Sequence, residues 1–214
     1  MFIAERPTRE LAIQAQALEG MDNSNAPFVG KPLDSFDQVM RNVIDVINFA
    51  EDNLTIATDV APFGCISEPD LYESYKSSLK TISENNKTPT DILWMSSNLE
   101  NSYISQFDSL SESDIKKVSS ESYEIRNLFP GTTEVDSPWL IYLNFWSAKK
   151  KGQYLTVITW ISKPTDEDAP ESVKGIVTAS PHVAAMTRDI FNTMLHRKDH
   201  ADVPKIIQIF SNTE

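Results

Sequence analysis

Two short runs, Leu54-Thr55-Ile56-Ala57-Thr58 and Ile92-Leu93-Trp94-Met95, decide how this chain folds. The first is β-prone and is closed by Asp59, Pro62 and Gly64. The second is almost wholly apolar, as a strand covered on both faces must be. Between them, Ser67 and Asp70 open a helix that tolerates Pro69 in its first turn, and Leu71, Tyr75, Leu79 and Ile82 fall on one stripe. Strand, crossover helix and strand in this order make a βαβ unit with two parallel strands.

Working outward, Ser35 and Gln38 form a capping-box pair before Phe36, Val39, Met40, Val43, Ile47 and Ala50, which recur at helical spacing to about Glu51. On the far side, Ser97 to Phe107 and Glu112 to Phe129 are polar, helix-compatible surface stretches, stopped by Pro130-Gly131. The runs 139–146 and 154–161 are dense in β-branched and aromatic residues and are expected to pair as a hairpin, connected by an exposed turn from Ser147 to Gln153. An acidic loop with Pro164 and Pro170 leads to a short strand, Ile176-Val177-Thr178. Ser180-Pro181 then starts a helix that runs to about Lys198, and the apolar tail Ile206 to Phe210 is expected to pack back on the domain. The class is therefore α/β, with a mixed, partly parallel sheet and flanking helices. Residues 1–33, holding a helical pattern from Thr8 to Met21 and a loop from Asp22 to Pro32, read as an N-terminal arm, and residues 34–214 as one α/β domain.

Composition bounds the function. Of 214 residues 40% are hydrophobic, enough for a packed core. No apolar run reaches the ~20 residues of a membrane span, and Glu5, Arg6, Arg9 and Glu10 stand where a secretory signal would be apolar, so a cytoplasmic location without membrane contact is expected. Cys65 is the only cysteine, which excludes an internal disulfide and a thiolate zinc cage. The net charge is −12, and residues 1–110 hold 17 acids against 7 bases. This acidity disfavours nucleic acid as a partner, since phosphate binding relies on Lys and Arg. The one dense basic run, Lys149-Lys150-Lys151 beside Gly152, reads as a solvated hairpin tip.

The order helix, strand, helix, strand, helices, long hairpin, short strand, helix resembles one half of a phospholipase D-like fold. Phe36 to Ile56 is similar to that family's opening helix and strand, and Lys174-Gly175-Ile176-Val177-Thr178 with Ser180 to Phe191 to its closing strand and helix, a coverage of about 34 to 198. Active members carry a His-x-Lys-x4-Asp motif on the hairpin strand. Here that strand begins Pro138-Trp139-Leu140-Ile141, without His, Lys or Asp in register, so the resemblance implies a non-catalytic relative that pairs as a homodimer. His196-Arg197-Lys198 sits at a helix end with Asp202 one position short of the motif, and is read as complementing the helix dipole. His196 and His200 are four apart, but Arg197 stands where a zinc protease needs Glu, so no metal or cofactor is expected.

In open α/β sheets ligands bind beyond the carboxyl ends of strands. The loop after the first strand, with Asp59, Phe63, Gly64 and Cys65, feeds a helix N-terminus and is the leading candidate site, although a small buried hydrophobe in a tight turn explains Cys65 more readily, since no histidine lies nearby in sequence to activate a thiolate. Ser96, Ser97 and Asn98, after the second strand, are expected to line the same crevice, or merely to cap the next helix. Trp94, Trp139, Trp146 and Trp160 read as core or sheet-face residues more readily than as a ligand pocket. Phosphate-loop, dinucleotide and serine-esterase motifs are absent. The expectation is a non-catalytic regulatory module that binds an unidentified small ligand or protein. A hydrolase or phosphodiesterase built on carboxylates near the strand ends, and a purely structural interaction domain, are the alternatives.

Overall fold

The computed structural model describes residues 30–85, 87–106, 109–136, 138–162 and 172–196. Their elements run β1 (Lys31–Leu33), α1 (Phe36–Phe49), β2 (Asn53–Thr58), α2 (Pro69–Asn85), β3 (Thr90–Met95), α3 (Ser97–Ile104), α4 (Glu112–Leu128), β4 (Thr133–Val135), a 3-10 turn (Pro138–Ile141), β5 (Leu143–Lys150), β6 (Gln153–Ser162), β7 (Ser172–Thr178) and α5 (Pro181–His196). The seven strands form one mixed sheet in the order β1-β7-β6-β5-β2-β3-β4. β2 pairs parallel to β3, with Ile56 opposite Ile92, and antiparallel to β5, with Ile56 opposite Trp146. The β2-α2-β3 unit is therefore as expected, and the fold is an α/β sheet with flanking helices.

Strand alternation sorts the core into two layers, because successive side chains leave opposite faces of a pleated strand. Leu54, Ile56, Ile92, Trp94, Trp146 and Val157 face one way and pack with Val39, Met40, Val43 and Ile47 of α1, with Tyr75 and Leu79 of α2 and with Ile125 of α4. Ala57, Leu93, Met95, Phe145 and Ile158 face the other way, onto Val183, Ile190, Phe191 and Met194 of α5. The caps follow the sequence. Ser35 accepts from the Gln38 amide at 3.3 Å, while the Gln38 side chain takes the amide of Asp34, one residue before the cap. Ser111 and Asp114 complete a reciprocal box at the start of α4, and Ser180 caps α5.

Four boundaries differ from the sequence reading. Lys31–Leu33, the end of the segment read as an arm, is the sheet's edge strand and pairs antiparallel with β7. Pro138–Ile141 is a 3-10 turn rather than the start of a strand, since Pro138 fixes φ and has no N–H for a ladder, and β5 begins only at Leu143. The hairpin connection shrinks from seven residues to two, because Lys149 and Lys150 stay in register with Tyr154 and Gln153. Lys151 (φ 49°) and Gly152 (φ 82°) make the turn, the pair of positive φ values that matches strand twist in a two-residue hairpin. β4 is three residues of a polar sequence and carries no alternation to betray it. The N-terminal helical pattern, the acidic loop 163–171 and the tail 206–210 lie outside the described residues. Among the described residues, no helix is long and apolar enough to cross a membrane.

The tightest approach in the sheet is at Gly175 of β7, where an added Cβ would stand 2.7 Å from the Ile158 carbonyl oxygen and 3.5 Å from Val39 of α1. That oxygen belongs to the backbone of β6 and has no room to retreat. Gly175→Ala is expected to destabilise the fold by about 1–3 kcal/mol, as overpacking does. Urea unfolding checks this, and an unchanged midpoint would mean that the β6–β7 spacing is looser than described.

Candidate functional site

Asp59 terminates β2 and is the group around which the candidate site is built. Its amide donates to Oδ1 of Asn144 at 2.7 Å, a tie from the end of β2 to the start of β5 across 85 residues of sequence. Its own Oδ1 accepts from the Val60 amide at 2.8 Å and from the Thr58 hydroxyl at 3.4 Å. The residue is 7% exposed. Burial raises its carboxyl from 3.8 to about 7, opposed by the backbone amides that bond its charged form. It therefore titrates near neutrality.

The loop that follows is held rigidly. Gly64 has φ 86°, a left-handed backbone conformation that requires glycine, and a Cβ there would fall 2.6 Å from the Met40 methyl of α1. Phe63 lies between Phe36 at 5.2 Å and Trp146 at 4.8 Å between ring centroids, both tilted. Cys65 is buried, its amide bonds the Pro62 carbonyl and its carbonyl accepts from Lys117 Nζ at 3.0 Å. Burial pushes the thiol up to about 11, against the pull of the Lys117 ammonium, so it is a packed thiol rather than a nucleophile.

Asp59, Phe63, Gly64 and Cys65 line one crevice of about 620 Å³, together with Phe36 and with residues the sequence did not single out, among them Tyr103, Leu110 and Val173. Ser96, Ser97 and Asn98 are not part of it, which corrects their expected place. Ser96 caps α3 and its hydroxyl bonds Asp136, while the Ser97 amide and hydroxyl bond Glu134 at 3.3 and 3.2 Å. β4 docks outside β3, and Glu134 within it and Asp136 just after it draw these hydroxyls to the outer edge. Asn98 is exposed on the same turn. Asp59 and Cys65 thus share the crevice, and Ser96 lies outside it.

Beside the crevice, Glu100 is 2% exposed and bonded to Arg126. Arg126 also donates to the Met95 carbonyl at 2.8 Å and to Glu134 at 2.7 Å, which ties α4 to the end of β3 and to β4. Burial raises the Glu100 carboxyl and the guanidinium opposes that rise. No spacing in the sequence marks this pair, because its members lie on different helices 26 residues apart. Of the histidine pair weighed as metal ligands, His196 ends α5 and His200 lies outside the described residues. Among the described residues, no group of three His, Cys, Asp or Glu is arranged to hold a metal.

A second, polar cleft of about 380 Å³ opens at the opposite end of β2, lined by Asp52, Asn53, Thr55, Ser147, Lys149 and Arg188 among others. Lys149 Nζ stands 5.6 Å from the Tyr154 ring centroid. Arg188 of α5 donates to Asn53 Oδ1 at 2.8 Å. Lys150 pairs with Glu51 at 3.4 Å, and Lys151 is exposed on the turn.

No family model and no curated protein matches the chain. Among solved structures it is similar to TrmBL2, an archaeal chromatin protein whose structure shows a novel mode of DNA binding, at 11% identity and a TM-score of 0.44. The match covers 86% of this chain and 58% of that one. It transfers no residue and no contact. The expected non-catalytic ligand- or partner-binding module with nucleic acid disfavoured is corrected on its own premise. The charge reading behind it has a physical flaw. It averaged charge over the whole chain, whereas salt confines electrostatic influence to ~8–10 Å, and cations gather at one end of the sheet.

The Asp59 carboxyl holds its proton more tightly folded than unfolded, so between about pH 4 and 7 the native state binds more protons and stability falls as pH rises through that window. Asp59→Asn keeps the acceptor for Val60 and removes the titration. The variant is expected to gain on the wild type from about pH 4 to 7, by at most about 4 kcal/mol at ~1.36 kcal/mol per pKa unit, and to hold that gain above pH 7. Asp45, raised by burial to about 6, is common to both proteins and cancels in the difference. Denaturation at a series of pH values measures it, and a pH-independent difference would place Asp59 in water.

Proposed function

We propose that this chain contacts the phosphate backbone of nucleic acid through the basic end of its sheet, in a sequence-independent manner. The observation that carries the reading is the cleft where Lys149 and Arg188, from β5 and α5, flank the hydroxyl-bearing strand positions Thr55 and Ser147 beside the exposed Lys151 turn. Two cations on separate rigid elements, with hydroxyl groups between them, suit phosphate oxygens better than a neutral ligand. Lys149, Lys150, Lys151 and Arg188 face Glu51, Asp52 and Asp91 at this end, so the local balance favours the cations, unlike the chain as a whole. The hydroxyl side of the cleft is fixed in advance, since Ser147 and Thr156 hydrogen-bond across β5 and β6 at 2.8 Å.

With only three or four cations engaged, the affinity belongs to the non-specific range of roughly 10⁻⁴–10⁻⁶ M. Fluorescence polarisation of a labelled random-sequence duplex, titrated between 50 and 200 mM salt, tests the reading. The logarithm of the association constant is expected to fall linearly with the logarithm of salt, with a slope of about −3. Reversing Lys149, Lys151 and Arg188 to Glu is expected to weaken binding at least ten-fold and flatten the slope. Equal binding by the triple variant, or none by the wild type at 50 mM salt, would remove the proposal.

A further inference from the structure

The crevice around Asp59 lies at the other end of β2 from the basic cleft and has the opposite electrostatic character. We infer that it is a binding site for a small organic cation, an ammonium group carried on an apolar body. Its volume of about 620 Å³ fits a small molecule, the usual range being ~300–1,000 Å³. Its wall is aromatic and aliphatic, with the tilted rings of Phe36 and Phe63 at one side and Leu110 and Val173 among the rest. Into this apolar setting the end of β2 delivers one carboxyl, nine-tenths buried, whose hydrogen bonds from Val60 and Thr58 both fall on Oδ1. The second oxygen takes no hydrogen bond from another described residue and is not among the side-chain atoms sealed from solvent without a partner, so it is reachable from the crevice and free to accept from a ligand N–H.

Charge selects the sign of the ligand. Asp34 and Glu68 stand with Asp59 in the lining, and no described lysine or arginine lines the crevice. Of the described cations beside the lining, Arg41 pairs with Asp37 at 2.9 Å and Lys117 donates to the Cys65 carbonyl at 3.0 Å. An anion would meet three carboxyl groups and no donor of opposite charge. An ammonium ion meets those carboxyl groups and two aromatic rings, whose faces attract cations. The neutral thiol of Cys65 adds packing and no competing charge.

The test uses phenethylammonium and n-hexylammonium as probes, with phenethyl alcohol and 3-phenylpropionate as neutral and anionic controls of similar shape. At pH 8, above the Asp59 titration, the ammonium ions are expected to raise Tm in a saturable way while the two controls do not at equal concentration. By calorimetric titration, Asp59→Asn is expected to lose at least ten-fold in affinity. Leu110→Trp, which fills the crevice and leaves Asp59 in place, is expected to abolish binding. Equal shifts from alcohol or carboxylate, undiminished binding by Asp59→Asn, or no shift from either ammonium ion would each overturn the assignment. None of these outcomes bears on the phosphate reading, which depends on residues at the far end of the strand.

Discussion

The structure depends on β2 being held in two registers at once. Ile56 lies opposite Ile92 in the parallel ladder and opposite Trp146 in the antiparallel one, so β2 is the seam between a parallel half and an antiparallel half. A slip of one residue on either side would turn Leu54, Ile56 and Ala57 to the wrong layers, because the side-chain period of a strand is two. The seam also creates the space above it. At the carboxyl end of β2 the chain leaves toward α2, while β5 begins at the same end with Leu143 and Asn144 and runs the other way. Neighbouring chains depart in different directions there, which is the geometry that opens a crevice in α/β sheets.

The same seam explains how a buried carboxyl is kept at Asp59. Removing a carboxylate from water is unfavourable, and it is tolerated where the charged form receives hydrogen bonds or the group holds a proton. Asp59 uses both routes, with Val60 and Thr58 bonding one oxygen and burial lifting the titration to about 7. The Asn144 side chain, taking the Asp59 amide, fixes where the carboxyl emerges relative to β5. Gly64 and Phe63 then turn the loop back onto Met40 and Trp146, so the crevice wall is continuous with the core.

What the sequence disclosed was the local part. Ser35, Gln38 and Ser180 mark helix starts through bonds spanning three or four residues, and the apolar runs at Leu54 and Ile92 announce buried strands, so the βαβ unit was legible. The site was half legible, since Asp59 to Cys65 follow directly from the end of such a strand. Ser96 and Ser97 were misplaced because their partners, Glu134 and Asp136, lie in and just after a three-residue strand with no pattern of its own. Asn144 and the Glu100–Arg126 pair were invisible, as each joins positions 26 or more residues apart on different elements. Charge was misread for a related reason. A sum over the sequence has no geometry, and Arg188 meets the Lys149 cleft only after α5 packs across the sheet.

The two ends of β2 are electrostatically separate. Six residues of strand span roughly 20 Å at ~3.3 Å per residue, about twice the screening length in physiological salt. The carboxyl groups around Asp59 therefore neither attract a ligand toward the lysine turn nor repel a phosphate from it. Any influence of one end on the other has to pass through packed matter, and β2 and β5 are the elements that reach both. Asn144 holds Asp59 at one end of β5 and Lys149 lines the cleft at the other, along a strand that is buried between them. A stiff, buried strand transmits small displacements along its length because close-packed interiors have little compressibility. Communication between the ends, where it exists, is accordingly a matter of how firmly β5 is seated against β2.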